Sequence, residues 1–204
     1  GRSAEARAFP RAVLAHVFIV TAVATVCGGI IFNATTVAMP KVFDERLAGL
    51  VSTTLGIGVL VSLVYAFAAL AQLCVGWWID RGGIKSVFVL VVAMQVPLLL
   101  LAGSSEHVTM LVVALAMMFF VFGLVPINDT MVAAYTDERW RARAYSVRYV
   151  MSFLGSAMSV PLIAYLHRTT GDFKPLFMVL AVLAFVSFLA AVTLPGTRPK
   201  GAIG

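Results

Sequence analysis

Six predominantly apolar runs, each of 18 residues or more, follow one another with only short polar breaks between them, at about 12–39, 52–79, 86–103, 108–135, 144–166 and 175–194. A hydrocarbon layer about 30 Å thick is crossed by roughly 20 residues of α-helix. Backbone groups find no water there, so a run of this length satisfies them only by coiling on itself. With 61% hydrophobic and 12% charged residues and a mean hydropathy of +1.00, the chain has more apolar surface than a water-soluble domain could cover. The expected fold is all-α: a polytopic membrane protein with six transmembrane helices over 12–195. Residues 1–11 are expected to be the end of a linker cut from a longer chain, and 196–204 a tail.

The excess of 15 bases over 9 acids first suggests a nucleic-acid partner, but no solvated basic face with interleaved aromatics is present. The bases instead divide by connection. Arg2, Arg7 and Arg11, then Arg81 and Lys85, then Arg139, Arg141, Arg143 and Arg148, then Arg198 and Lys200 fall at alternate ends of the runs, 11 of the 15 in all. Lys and Arg accumulate on the cytoplasmic side, so both termini are expected there, in a multi-pass protein of the cell membrane. Cys27 and Cys74 lie inside apolar runs and behave as small hydrophobes.

The break GWWIDRGGIK, residues 76–85, concentrates an acid, two bases and a double glycine between the second and third runs. Gly82 and Gly83 allow the positive φ of a tight reversal, and Gly76 is expected to let a neighbouring helix approach closely. Asp80 can accept hydrogen bonds at a helix N-terminus, while Arg81 and Lys85 can hold carboxylates or lipid phosphates. The pattern Gly76-x-x-x-Asp80-Arg81-x-Gly83-x-Lys85 resembles the signature of the major facilitator superfamily, departing from it at Trp78, where the family usually has Leu, and at Ile84, where it has a second base. The resemblance, covering the whole chain, implies the C-terminal six-helix half of a 12-helix transporter, built as a 3+3 inverted repeat and completed by an N-terminal six-helix half. It also implies a cytoplasmic latch of Gly76, Asp80, Arg81, Gly83 and Lys85 that holds one packing of the helices.

An inverted repeat makes the first and fourth helices counterparts, and both carry N-x-T-x-V-A, at Asn33–Ala38 and Asn128–Ala133, each followed by Asp-Glu-Arg. Amides in lipid require partners or water, so Asn33, Thr36 and Asn128 are candidate lining of a substrate cavity, as the resemblance implies for these helices. An interhelical hydrogen bond, worth roughly 0.6–2 kcal/mol, is the competing role. Tyr65 and Gln72, seven residues apart and so on one helix face, are further candidates. Gly155 and Ser159, followed by Pro161, have the spacing of close helix packing.

Of nine acids, only Asp129 falls well inside a run, roughly 12 Å from Asp137 along the helix. A carboxylate at that depth needs water, a proton or a partner, and Arg148 is the partner expected from its comparable depth. Asp129 and Arg148 therefore join the latch, and Asp129 is the one possible proton site.

No nucleotide-binding G-x-x-x-x-G-K-[ST] loop, G-x-S-x-G nucleophile turn or H-E-x-x-H pair occurs, and His16, His107 and His167 have no metal-ligand spacing. The expectation is a non-enzymatic secondary transporter with no cofactor and no metal, whose partners are a small-molecule substrate, H+ and the lipid bilayer. A non-transporting receptor or scaffold on the same bundle is the alternative.

Overall fold

The computed structural model describes residues 11–47, 49–51, 53–136 and 138–194, with side chains from His16 onward except at 135; the expected linker and tail lie outside these apart from Arg11. Six helices fill the described residues: α1 (Arg11–Arg46), α2 (Thr54–Gly82), α3 (Ile84–Ala102), α4 (His107–Tyr135), α5 (Glu138–Thr170) and α6 (Lys174–Val192). All six are long and apolar enough to cross a membrane.

Two helices outrun the apolar segments that announce them. α1 continues past 39 through Pro40 to Arg46, its last turns carrying Lys41 2.9 Å from Asp44 and 3.5 Å from Glu45. Such i,i+3 and i,i+4 pairs support a solvated helix end. α5 begins at Glu138 rather than 144, so Arg139, Arg141 and Arg143 are helical. At 36 and 33 residues these helices are roughly 54 and 50 Å long, well beyond the hydrocarbon thickness. Hydropathy marks the part that needs lipid, while the polar turns keep the helix going outside it.

The packing has the symmetry of a repeat. α1 packs most extensively on α5, and α4 on α2; α3 meets α6; α3 also packs on α4, as α6 does on α1. Exchanging α1–α3 with α4–α6 maps this pattern onto itself. The local chemistry follows it: Thr35 donates to the Ile31 carbonyl at 2.7 Å, and Thr130 donates to the Pro126 carbonyl at the same distance. Gly28 and Gly123, each five residues before the matched Asn, are both sites of close approach, where a Cβ would lie 2.6 Å from Leu124 and 2.9 Å from Val75.

Two buried clusters stack along the bundle. One gathers Ile31, Met39, Phe43, Met117, Phe173 and Phe177 toward the α1 C-terminus, and the other Val17, Val75, Phe88, Val91, Ile127 and Met131 toward its N-terminus. Where α1 crosses α5, a Cβ on Gly155 would come within 2.8 Å of the Val26 carbonyl and one on Gly29 within 2.9 Å of the Ser152 carbonyl. Ser159, fully buried, donates to the Ile30 carbonyl at 3.3 Å.

The turn at 76–85 is tighter than expected. A single residue, Gly83, at φ 79°, separates α2 from α3 and donates its N–H to the Ile79 carbonyl. Gly82 is still helical, and a Cβ on Gly76 would meet nothing within 4 Å. The expected role of Gly82 in the reversal is therefore corrected, since one positive-φ glycine makes it, and among the described residues no helix lies against Gly76.

Candidate functional site

The polar residues of the membrane region form three groups. In the first, Asn33 on α1 donates from Nδ2 to Ser156 Oγ on α5 at 2.9 Å, and the Tyr65 hydroxyl of α2 donates to the Thr36 carbonyl at 2.6 Å. The Thr36 hydroxyl turns back to the Phe32 carbonyl at 2.6 Å. Phe122 of α4 closes the group, its ring 4.9 Å from Phe32 and 6.2 Å from Tyr65. Asn33, Thr36 and Tyr65 are thus brought together, with their hydrogen-bonding capacity partly spent between helices. Gln72 is half-buried two turns further along α2, and Asn128 is buried with its Oδ1 unpartnered among the described residues.

The second group lies nearer the α1 N-terminus. Arg148 Nη2 stands 2.6 Å from Asp129 Oδ1, a contact close in distance but without the alignment of a hydrogen bond. The Arg148 side chain is 11% exposed and the Asp129 side chain 40%, while the Asp129 Oδ1 that faces the guanidinium is itself buried. Tyr145 and Tyr149 flank the guanidinium at 5.9 and 5.0 Å, and the Tyr145 hydroxyl donates to the Asp129 carbonyl at 3.0 Å. One helical turn separates the two tyrosines on α5, which places both rings beside the same arginine.

The turn residues do not join this pair. Asp80 and Arg81 are exposed, Lys85 is half-buried, and none makes an ion pair among the described residues. Arg81 lies over the Trp77 ring at 3.7 Å. Asp80 does not cap α3, whose N-cap is Gly83 with no side-chain hydrogen bond. Among the described residues, then, Asp129 stands beside Arg148 within the bundle, while Asp80 and Arg81 stand exposed in the last turn of α2 and are not joined to that pair.

The third group was not anticipated. Arg46, at the end of α1, donates to the carbonyls of Ala102 and Ser105 and pairs through Nη2 with Asp172 Oδ1 at 2.8 Å. Asp172 Oδ1 also accepts from the Phe173 N–H at 2.6 Å, at the start of α6. One guanidinium therefore clamps α1, the α3–α4 turn and the α5–α6 turn. Partial burial pushes the Asp172 carboxyl up, but the Arg46 hydrogen bond, the backbone N–H donors and the guanidinium charge together hold it below its ordinary 3.8. His167, stacked on Phe173 at 4.5 Å, adds a 3.5 Å contact to Glu45. Both pairs join residues more than 120 positions apart, and only an inverted-repeat alignment of the helix ends could have suggested them.

No group of three or more His, Cys, Asp or Glu residues suited to a metal occurs among the described residues. At the level of sequence alone, no curated protein matches the chain. Its fold does have solved counterparts. The E. coli fucose:proton symporter FucP superposes with a TM-score of 0.76 over 89% of this chain at 15% identity, and covers it with 43% of its own length. A bacterial homolog of the human lysosomal transporter Spinster, in an inward-facing and unoccupied conformation, gives 0.65 over 96% of this chain at 13% identity, using 47% of its length. The chain thus spans under half the length of either. Residues 17–203 match the Major Facilitator Superfamily profile, nearly the whole sequence, and the chain belongs to that superfamily of membrane transporters.

Proposed function

We propose that this bundle is one half of a secondary active transporter that moves a small solute across the cell membrane by alternating access, coupled to the proton gradient. The N-terminal six-helix half of the same protein completes the cavity, and both termini face the cytoplasm. Asn33, Thr36, Tyr65, Gln72 and Asn128 furnish this half's share of the substrate wall. The proton coupling named for one structural neighbour supports the choice of ion.

The observation that carries this reading is the charge arrangement of the 76–85 turn. Asp80 occupies the last turn of α2 and Lys85 the first turn of α3, each opposed to its helix dipole. Charges that weaken their own helices and have no ion-pair partner among the described residues are suited to partners in the other half. Gly76, Asp80, Arg81, Gly83 and Lys85 then form the exterior part of a cytoplasmic latch, and Asp129 with Arg148 the part inside the bundle. Asp129 is less covered by this half than Arg148 is, and a proton taken up there releases Arg148 and loosens the latch.

Transport by the full-length protein in vesicles tests this. An ion pair open to solvent on one side is worth about 1 kcal/mol, so Asp129→Asn shifts the latch equilibrium about fivefold. Asp129→Asn is expected to keep downhill exchange but to lose accumulation driven by a proton gradient, and Asp80→Asn to slow both. Accumulation unchanged in both variants removes these residues from the mechanism.

A further inference from the structure

A cavity of about 660 Å³ opens between the N-terminal part of α1, the end of α4 and the first half of α5. None of the five substrate-wall candidates lines it, yet it lies along the same two helices. Thr25 in its wall is eight residues, roughly 12 Å, from Asn33 along α1, and Met131 is one turn from Asn128 along α4. With the substrate wall proposed on α1 and α4, the cavity continues the same solute path toward the cytoplasmic helix ends.

Most of the wall is apolar, Val17, Ala22, Met131, Val132 and Met151 among it, and no acidic residue lines it. Set into it are two arginines, Arg143 and Arg148, and two threonines, Thr25 and Thr136. Arg148 Nε and Nη1, Thr25 Oγ1 and Thr136 Oγ1 are buried and have no hydrogen-bond partner among the described residues. This half's own residues cover these atoms, so their burial does not depend on what lies against the open side of the cavity. Thr25 is only 4% exposed. Asp129 engages Nη2 of Arg148 alone and is not part of the lining. Buried donors without acceptors are costly, and here two guanidinium charges share a wall that holds no carboxylate. The ligand such a wall selects brings acceptors and negative charge together.

Volume and apolarity say what else that ligand carries. A small inorganic anion would fill little of the space and would lose its water against aliphatic side chains. An apolar body offsets that loss by contact with the same side chains. The volume is within the range of about 300–1,000 Å³ typical of small-molecule sites. A cation is repelled by both guanidinium groups, and a neutral solute leaves their charge unanswered.

We infer that the cavity binds an organic anion with an apolar body, and that this is the class of solute the transporter moves. Arg148 takes the charged group, with Arg143 and Thr25 beside it, and Val17, Met131, Val132 and Met151 take the body. An anion that draws the Arg148 guanidinium toward the cavity draws it away from Asp129, so solute and Asp129 compete for one charge. The assignment of solute class rests on the transport reading proposed above, whereas the anion site itself does not.

Isothermal titration calorimetry of the purified full-length protein with 4-phenylbutyrate, its neutral amide and 4-phenylbutylammonium tests the site. The wild type is expected to bind the carboxylate about tenfold more tightly than the amide, and the ammonium more weakly still. Arg148→Gln is expected to lose about tenfold toward the carboxylate and little toward the amide, and Arg148→Lys, which keeps the charge, to recover part of that loss. Thr25→Val removes the unpartnered hydroxyl at nearly constant volume. Its expected loss of about threefold keeps the test decisive where an arginine variant misfolds. Equal affinity for carboxylate and amide, carboxylate affinity unchanged in both Arg148→Gln and Thr25→Val, or no carboxylate binding because an acid of the other half occupies the arginines would each overturn the assignment. Proton-driven uptake into vesicles separates the two readings. A carboxylate that binds at this site without being moved contradicts the transport reading and leaves the anion site standing, while uptake of the amide in preference to the carboxylate overturns the solute class and leaves transport standing.

Discussion

Arg148 and Arg46 are both nearly buried arginines, yet they are held in opposite ways. Arg148 is given one carboxylate oxygen and two tyrosine rings, leaving Nε and Nη1 unpartnered, whereas Arg46 has two carbonyls, a carboxylate and the Phe177 ring at 5.9 Å. A guanidinium with both Nη atoms hydrogen-bonded, as in Arg46, is a fastener, and one with spare buried donors is free to change partners. The Arg46 clamp makes a pH-dependent prediction. Its Asp172 carboxyl is held below 3.8, so the pair stabilises the fold fully above that value and is lost as pH falls through the lower, folded value. Thermal unfolding should show wild type above Asp172→Asn at pH 7, with the gap closing below pH 3.8; a gap that persists in acid would show that the ion pair contributes nothing. The Asp129–Arg148 proximity was legible from sequence because lipid makes a lone acid conspicuous. Arg46 and Asp172 were not, since both sit in polar connections where a charge carries no signal.

Among the elements, α1 and α5 pack on each other as extensively as any pair. Their crossing is set by backbone, with Gly29 and Gly155 each placed so that a Cβ meets a carbonyl on the other helix. Gly155→Ala should therefore force the helices apart and destabilise by about 1–3 kcal/mol. Gly76→Ala, with open space around it, should be neutral or gain up to about 1 kcal/mol from helix propensity. Thermal melts followed by circular dichroism will separate the two, and equal shifts would contradict the packing described here. In the sequence these glycines look alike in that both lie within apolar helices. Only the opposing face distinguishes them, and that face belongs to a helix more than 120 residues away. The helix extents carry the same lesson: hydropathy located all six elements, but the charged turns of α1 and α5 required knowledge of local ion pairing and of Arg residues tolerated in helix.

On the scale of the molecule, the packing pattern of α1–α3 is mirrored by that of α4–α6. The matched Asn33 and Asn128, with their matched threonine back-bonds, occupy the α1 and α4 positions that the exchange of halves relates. Because α1 and α4 run in opposite directions, Asn33 lies toward one face of the bundle and Asn128 toward the other. If this half rocks about a central site, solvent should reach these two positions in alternation. Cysteines introduced singly at 33 and 128, in full-length protein with Cys27 and Cys74 replaced, can be labelled from the aqueous phase with a membrane-impermeant thiol reagent. Imposing a proton gradient should raise labelling at one position and lower it at the other, reversing when the gradient is reversed. Labelling that rises and falls together at both positions, or stays constant at both, would contradict alternating access.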